Sequence, residues 1–263
     1  MEVSSRSRSL VAIIALTVAF VFTLSAFPSA ALASHSWNGY HWARTNNPFT
    51  LKLGRNLTST WIPYLSTTSA EWSQSDVIHT TIVTGGTTRS RCNPTGGRVE
   101  VCNASYGNTG WLGVAQIWND GGGHIAQGTV KLNDTYFNTA QYNNTAERNH
   151  VMCQEVGHTF GLDHQDTSGA SLGTCMDYSN DPSSQAPNQH DYDELDTIYW
   201  NHLDGYTSAN SVVRVPASVA TVNVDAQNQW GKLMSTSHDG HTSTYVRTLS
   251  SGFELVTIVF WAK

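Results

Sequence analysis

Gln154-Glu155-Val156-Gly157-His158-Thr159-Phe160-Gly161-Leu162-Asp163-His164 is the stretch that most limits what this chain can fold into. Residues four apart on a helix share a face and lie about 6 Å apart along its axis, so Gln154 and His158 can reach one ion. Glu155 projects beside them, where a carboxylate can polarise water. Gly161 accepts the left-handed backbone of a helix C-terminal cap and is expected to end the helix, after which the chain turns back with His164. Met152, Val156 and Phe160 recur every fourth residue on the opposite face, the pattern of a helix anchored to a core. Gln154 is the odd member, since a neutral amide oxygen is a weaker metal ligand than an imidazole. His150 is no easy substitute: it stands roughly 12 Å along the axis from His158 and is expected at the surface or in a supporting position.

The rest of the chain says where such a helix would work. Arg6 and Arg8 precede an apolar run from Leu10 to Phe27, then Pro28 and the small-residue site Ala31-Leu32-Ala33. This reads as a secretory signal peptide over residues 1–33, cut before Ser34, with no stable membrane insertion afterwards. Only 13% of residues are charged, the net charge is -6 and no basic run occurs, which argues against nucleic acid as a partner. Four cysteines in an exported chain point to two disulfides. Three pairings are possible, and the sequence-local one joins Cys92 with Cys102 and Cys153 with Cys175.

Taken in order, Trp37, Tyr40, His41 and Trp42 form an irregular aromatic segment, and Phe49–Leu53 alternates as a strand closed by Gly54. Trp61, Leu65 and Trp72 share a helical face between Thr58 and Ser73, and residues 76–84 read as a strand. Three more strands are expected over 98–106, 114–118 and 128–132, the last two joined by the turn Asp120-Gly121-Gly122-Gly123. His124, just past that turn, is expected as a solvated loop histidine. The helix carrying Gln154 starts near Thr145, and a later helix with a polar start follows Asn188. Residues 212–224 and 230–261 are β-like. Sequons occur at Asn56, Asn103, Asn133 and Asn143.

Apart from Gln154, the central stretch resembles the long zinc-binding signature of the metzincin metalloproteases, and Met176 with Tyr178 two residues later resembles their methionine turn. The resemblance runs from Phe49 to Leu203 and is strongest from Ala146 to Tyr178; it has a secreted, matrixin-like cast. It implies an α+β fold with a twisted, mostly parallel sheet, two long helices and a short C-terminal subdomain carrying the Met176 turn. The metalloprotease domain would span 34–207, with a β-rich appendage over 208–263. The implied activity is zinc-dependent endopeptidase cleavage of protein or peptide substrates outside the cell. His158, His164 and Gln154 would hold the metal, Glu155 would act as general base on metal-bound water, and Tyr178 would assist the oxyanion. Zinc is the implied cofactor, with calcium allowed in addition. Asp163 and Asp166 would support His164 or stay at the surface. The competing expectation is a degenerate metzincin fold with a weakened metal site that binds polypeptide or glycan without cleaving it.

Overall fold

The computed structural model describes residues 35–166, 169–179, 181, 183–210, 215–220 and 224–263. The expected signal peptide, and parts of the β segment expected over 212–224, lie outside the described residues. Within 212–224 the described portion includes a short helix, Ala217–Ala220, and not a strand.

Alternating and wholly apolar runs build the strands β1 (His41–Trp42), β2 (Phe49–Asn56), β3 (Ile78–Thr84), β4 (Val99–Ala104), β5 (Trp111–Asn119) and β6 (His124–Asn133). Lys232–Thr236, Thr242–Thr248 and Glu254–Trp261 follow as β7, β8 and β9. Among the described residues they form one nine-stranded sheet of order β3-β2-β4-β6-β5-β9-β8-β7, with β1 on β6. Strands β3, β2, β4 and β6 pair in parallel. From β6 onward every pair along that order is antiparallel. The fold is therefore α+β, but its sheet is mixed where a mostly parallel one was expected. The cause is local. A tight turn can join only antiparallel neighbours, so the 120–123 turn reverses β6 against β5, and the β8–β9 hairpin then extends the edge of β5.

The helices are α1 (Ile62–Trp72), α2 (Asp134–Phe137), α3 (Thr145–His158), α4 (Gln189–Tyr199) and α5 (Ala217–Ala220). Helix α1 begins later than expected from Thr58, because Thr58 to Trp61 forms a turn, with the Trp61 amide on the Thr58 carbonyl at 3.0 Å. Helix α3 starts as expected. Asn144 caps it by accepting from the Glu147 amide at 2.9 Å, worth about 1 kcal/mol. Helix α4 opens with a reciprocal capping box between Asn188 and Asp191. Helices α1 and α3 lock together through Trp72, whose indole nitrogen donates to the Cys153 carbonyl at 3.1 Å. No helix among the described residues is long and apolar enough to cross a membrane.

Two glycines do other work than the sequence indicated. Gly54 does not close β2, which runs on to Asn56; a side chain there would collide with the buried Glu100 carboxylate. Helix α3 stops at His158, before Gly161, and Gly161 (φ +100°) instead lets the Tyr40 carbonyl approach its backbone. The disulfides are Cys92–Cys102 and Cys153–Cys175, both with Cα atoms 5.9 Å apart. Of the four sequon asparagines, Asn56, Asn103 and Asn133 are buried, and Asn143 is exposed.

Candidate metal centre

Helix α3 is buried all round from His150 to His158, so its polar side chains have lost water and must find partners inside. Gln154 and His158 each find one and keep another polar atom unbonded, and Glu155 keeps both of its oxygens unbonded. The Gln154 amide nitrogen donates to the carbonyls of Cys175 (2.8 Å) and Asp177 (2.9 Å). Both carbonyls only accept, so the nitrogen must face them, and the amide oxygen is left as a free acceptor. His158 gives its Nδ1 proton to the Leu162 carbonyl at 2.8 Å, which leaves Nε2 as a lone pair. His164 has Nδ1 3.3 Å from Asp163 Oδ1, and that same carboxylate oxygen accepts from the His164 amide at 2.7 Å. Asp163 thus supports His164.

Gln154 Oε1, both carboxylate oxygens of Glu155, His158 Nε2 and His164 Nε2 are all buried without a hydrogen-bond partner among the described residues. Leaving one such atom unsatisfied costs about 1–3 kcal/mol. Burial, reinforced by the neighbouring His164, pushes His158 down to about 3. Burial, with His35 nearby, does the same to His164. Both imidazoles are therefore neutral at ordinary pH and offer lone pairs. Burial raises the Glu155 carboxyl well above its usual range, against a smaller opposing pull from the Ala115 backbone. The rings of His158 and His164 lie 4.5 Å apart. Two neutral imidazoles and an amide oxygen form a donor set that suits zinc, with the Glu155 carboxylate beside them.

The surroundings hold these groups in place. A Cβ on Gly113 of β5 would stand 2.5 Å from Glu155 Oε1 and 2.7 Å from Val151 Cγ1, so the missing side chain is the space Glu155 occupies. A Cβ on Gly157 would meet Met176 Sδ at 2.7 Å, which places the Met176 turn against α3. The Cys153–Cys175 bridge ties that turn to the helix beside Gln154. Tyr178 stacks on His164, centroids 4.2 Å apart, and its hydroxyl is pushed up to about 12 by burial, with Thr242 of β8 opposing the rise.

Of its two expected places, at the surface or in support, His150 takes the second: it is 3% exposed, its Nε2 lies 3.4 Å from the Gln154 amide nitrogen, and burial takes it to about 3. One sequence expectation needs correction. His124 is not a free loop histidine. It opens β6 and faces Asp204, with Nε2 3.2 Å from Oδ1, and Asp120, with Nδ1 3.4 Å from Oδ2. Asp120 is only four residues away, but the Asp204 contact cannot be seen locally because the two residues are far apart in the chain.

Two further groups of metal-ligating side chains went unforeseen. His35, His190 and Asp191 form one, and His41, His202 and Asp204 the other; in each, one ligand atom per residue lies within 4.8 Å of the rest. Each group joins a histidine of the N-terminal segment to a pair close in sequence, His190 with Asp191 and His202 with Asp204, and the long separation from His35 and His41 is what hid them.

No protein-family model matches the sequence, and no curated protein matches it. Among solved structures, the chain is similar to that of myroilysin, at 14% identity over 65% of this chain and 98% of the other, with a TM-score of 0.33. A likeness at that level carries no weight for fold or activity, and the chemistry of the centre stands on its own geometry.

Proposed function

We propose that the chain is a zinc-dependent endopeptidase of metzincin type, exported and disulfide-bonded. The observation that carries this reading is the set of five buried acceptor atoms on Gln154, Glu155, His158 and His164, none with a partner among the described residues. A purely structural helix would have no reason to retain them.

Gln154, His158 and His164 hold the zinc, which when bound supplies Lewis acidity toward a scissile carbonyl and toward water. Gln154 is a usable ligand here because the carbonyls of Cys175 and Asp177 fix its nitrogen and so orient its oxygen. Glu155 takes a proton from the attacking water on a carboxylate oxygen as the new C–O bond forms. It passes that proton to the nitrogen of the leaving amine as the C–N bond breaks. Tyr178 stays protonated far above neutral pH and can donate to the oxygen that becomes negative in between. His150 and Asp163 position Gln154 and His164. Glu155, His158 and Tyr178 are all buried, so a polypeptide must displace neighbouring chain to reach them, and Tyr178 is itself bonded to Thr242 at the start of β8.

The test is hydrolysis of an unfolded protein such as casein, with zinc measured on the same samples. Glu155→Gln should keep its zinc and lose about 10²–10⁴-fold in rate, the usual worth of a general base. A wild-type protein that holds zinc at this centre yet leaves casein intact would favour the competing reading, a binding module on the same fold.

A further inference from the structure

The N-terminal segment returns across the molecule at the point where His164 is delivered. Ser36 bridges Leu162 in antiparallel fashion, the Trp37 amide donates to the Gly161 carbonyl at 2.9 Å, and the Asp163 amide donates to the His35 carbonyl. This pairing brings His35 to the first turn of α4. Its ring stacks on His190, with centroids 4.9 Å and planes 24° apart, and its Nε2 stands 3.7 Å from Asp191 Oδ1.

The bonding at this spot is incomplete in a particular way. His35 Nε2, His190 Nδ1 and Asp191 Oδ1 are all shut from solvent and lack a hydrogen-bond partner among the described residues. The side chains of His35 and Asp191 are 1% and 0% exposed. Their other polar atoms are engaged. His35 Nδ1 lies 2.9 Å from the Asp163 carbonyl, which fixes the proton there and leaves Nε2 a lone pair. Asp191 Oδ2 accepts from the Asn188 amide at 2.8 Å and from the Thr174 hydroxyl, so Oδ1 is the free oxygen. A plain His35–Asp191 ion pair does not account for this: 3.7 Å is too long for a hydrogen bond, and His190 Nδ1 would still be stranded. Zinc bonds of about 2.0–2.2 Å set tetrahedral ligand atoms about 3.3–3.6 Å apart. The His35–Asp191 separation falls just outside that range, and a side-chain adjustment of a few tenths of an ångström closes it.

We propose that His35, His190 and Asp191 bind a second divalent ion of the zinc class, separate from the centre on α3. Two imidazoles and one carboxylate suit zinc, whereas calcium and magnesium take oxygen ligands. The ion clamps the N-terminal segment to α4. Through the His35–Asp163 bond it also steadies the backbone that carries His164. The site does not depend on the protease reading.

Zinc per chain, measured on the full protein after dialysis, tests this in four forms: wild type, His35→Ala with His190→Ala, His158→Ala with His164→Ala, and all four together. Removing His35 and His190 should lower zinc by about one equivalent in either background. If the α3 centre holds no zinc, the wild type carries about one equivalent instead of two, and the loss on removing His35 and His190 still appears. His190→Ala alone, at a half-buried position, guards against misfolding: with an unchanged circular dichroism spectrum it should abolish the zinc-dependent rise in melting temperature of the His158→Ala, His164→Ala protein. Zinc content and zinc-dependent melting that ignore all these changes at His35 and His190 would overturn the site and leave a water as its occupant.

Discussion

The centre on α3 and the His41–His202–Asp204 cluster both gather histidines and acids, and they differ in what is left unbonded. In the cluster, His202 Nε2 lies 3.1 Å from His41 Nε2, and His41 Nδ1 lies 2.7 Å from the Gly39 carbonyl. Asp204 Oδ2 accepts from the Arg44 amide at 3.1 Å and from Arg44 Nη1 at 3.0 Å. No atom of these residues is buried without a partner, and the Arg44 guanidinium already supplies the cation. On α3 the reverse holds: Gln154 and His158 are each tied at one atom and bare at another, and Glu155 is bare at both oxygens. Ligand-type residues are thus a poor guide to a metal site by themselves. Spare bonding capacity in a dry place is the better one.

The largest change that probes this contrast is removal of the Cys153–Cys175 bridge. It closes a loop of sequence separation 22, for which the chain-entropy estimate is about 3 kcal/mol. Cys153→Ala with Cys175→Ala should lower stability by about that much in denaturant titration. It should also weaken zinc binding, because the Cys175 and Asp177 carbonyls that orient Gln154 lie on the released turn. Cys92→Ala with Cys102→Ala, with a sequence separation of 10, should cost slightly less and leave zinc affinity unchanged. Equal effects on zinc from the two pairs would mean that the turn does not orient the amide.

Next in size is Gly113→Ala. The added methyl meets Glu155 Oε1 and Val151, and overpacking of this kind costs about 1–3 kcal/mol. Hydrolysis should fall by more than stability explains, read as a drop in kcat with zinc content unchanged, since Glu155 and not a ligand is displaced. A matching alanine at Gly205, where a Cβ meets nothing within 4 Å and φ is not positive, is the control for an added methyl without overpacking.

How far the sequence reached follows the range of the contacts involved. Helix α3, its Asn144-side start and the β5–β6 hairpin rest on spacing and turn residues within a few tens of residues, which the sequence displays, whereas the Met176 turn was implied by the resemblance alone. The pairing of β5 with β9 joins Trp118 to Leu255, and no local pattern marks it, so the extension of the sheet beyond β5 stayed hidden. Gly54 looked like a strand end because glycine usually punctuates; the reason for it is Glu100, on the neighbouring strand. At the centre, the odd glutamine was legible and its anchoring was not, since that needs two carbonyls from the far side of a disulfide. His35 lies outside the central motif altogether, and only the N-terminal segment's return along Leu162 brings it to α4.

The smallest expected effect is on the other side of the comparison. His202 is half-exposed, with 45% of its side chain open, and it contributes one contact to His41 and one to Arg44 Nη1 at 3.4 Å. His202→Ala should therefore cost no more than about 1 kcal/mol, the net worth of an ordinary hydrogen bond. The Arg44–Asp204 pair survives the change at 3.0 Å, so the charge balance of the cluster is kept. Zinc per chain should be the same in His202→Ala as in the wild type, and so should the midpoint of competition with a chelator. That near-null result is the sharp one, because it separates internally bonded histidines from stranded ones of the same type. If His202→Ala loses zinc instead, Arg44 does not fill the need for positive charge, and spare bonding capacity fails as the criterion that sets α3 apart.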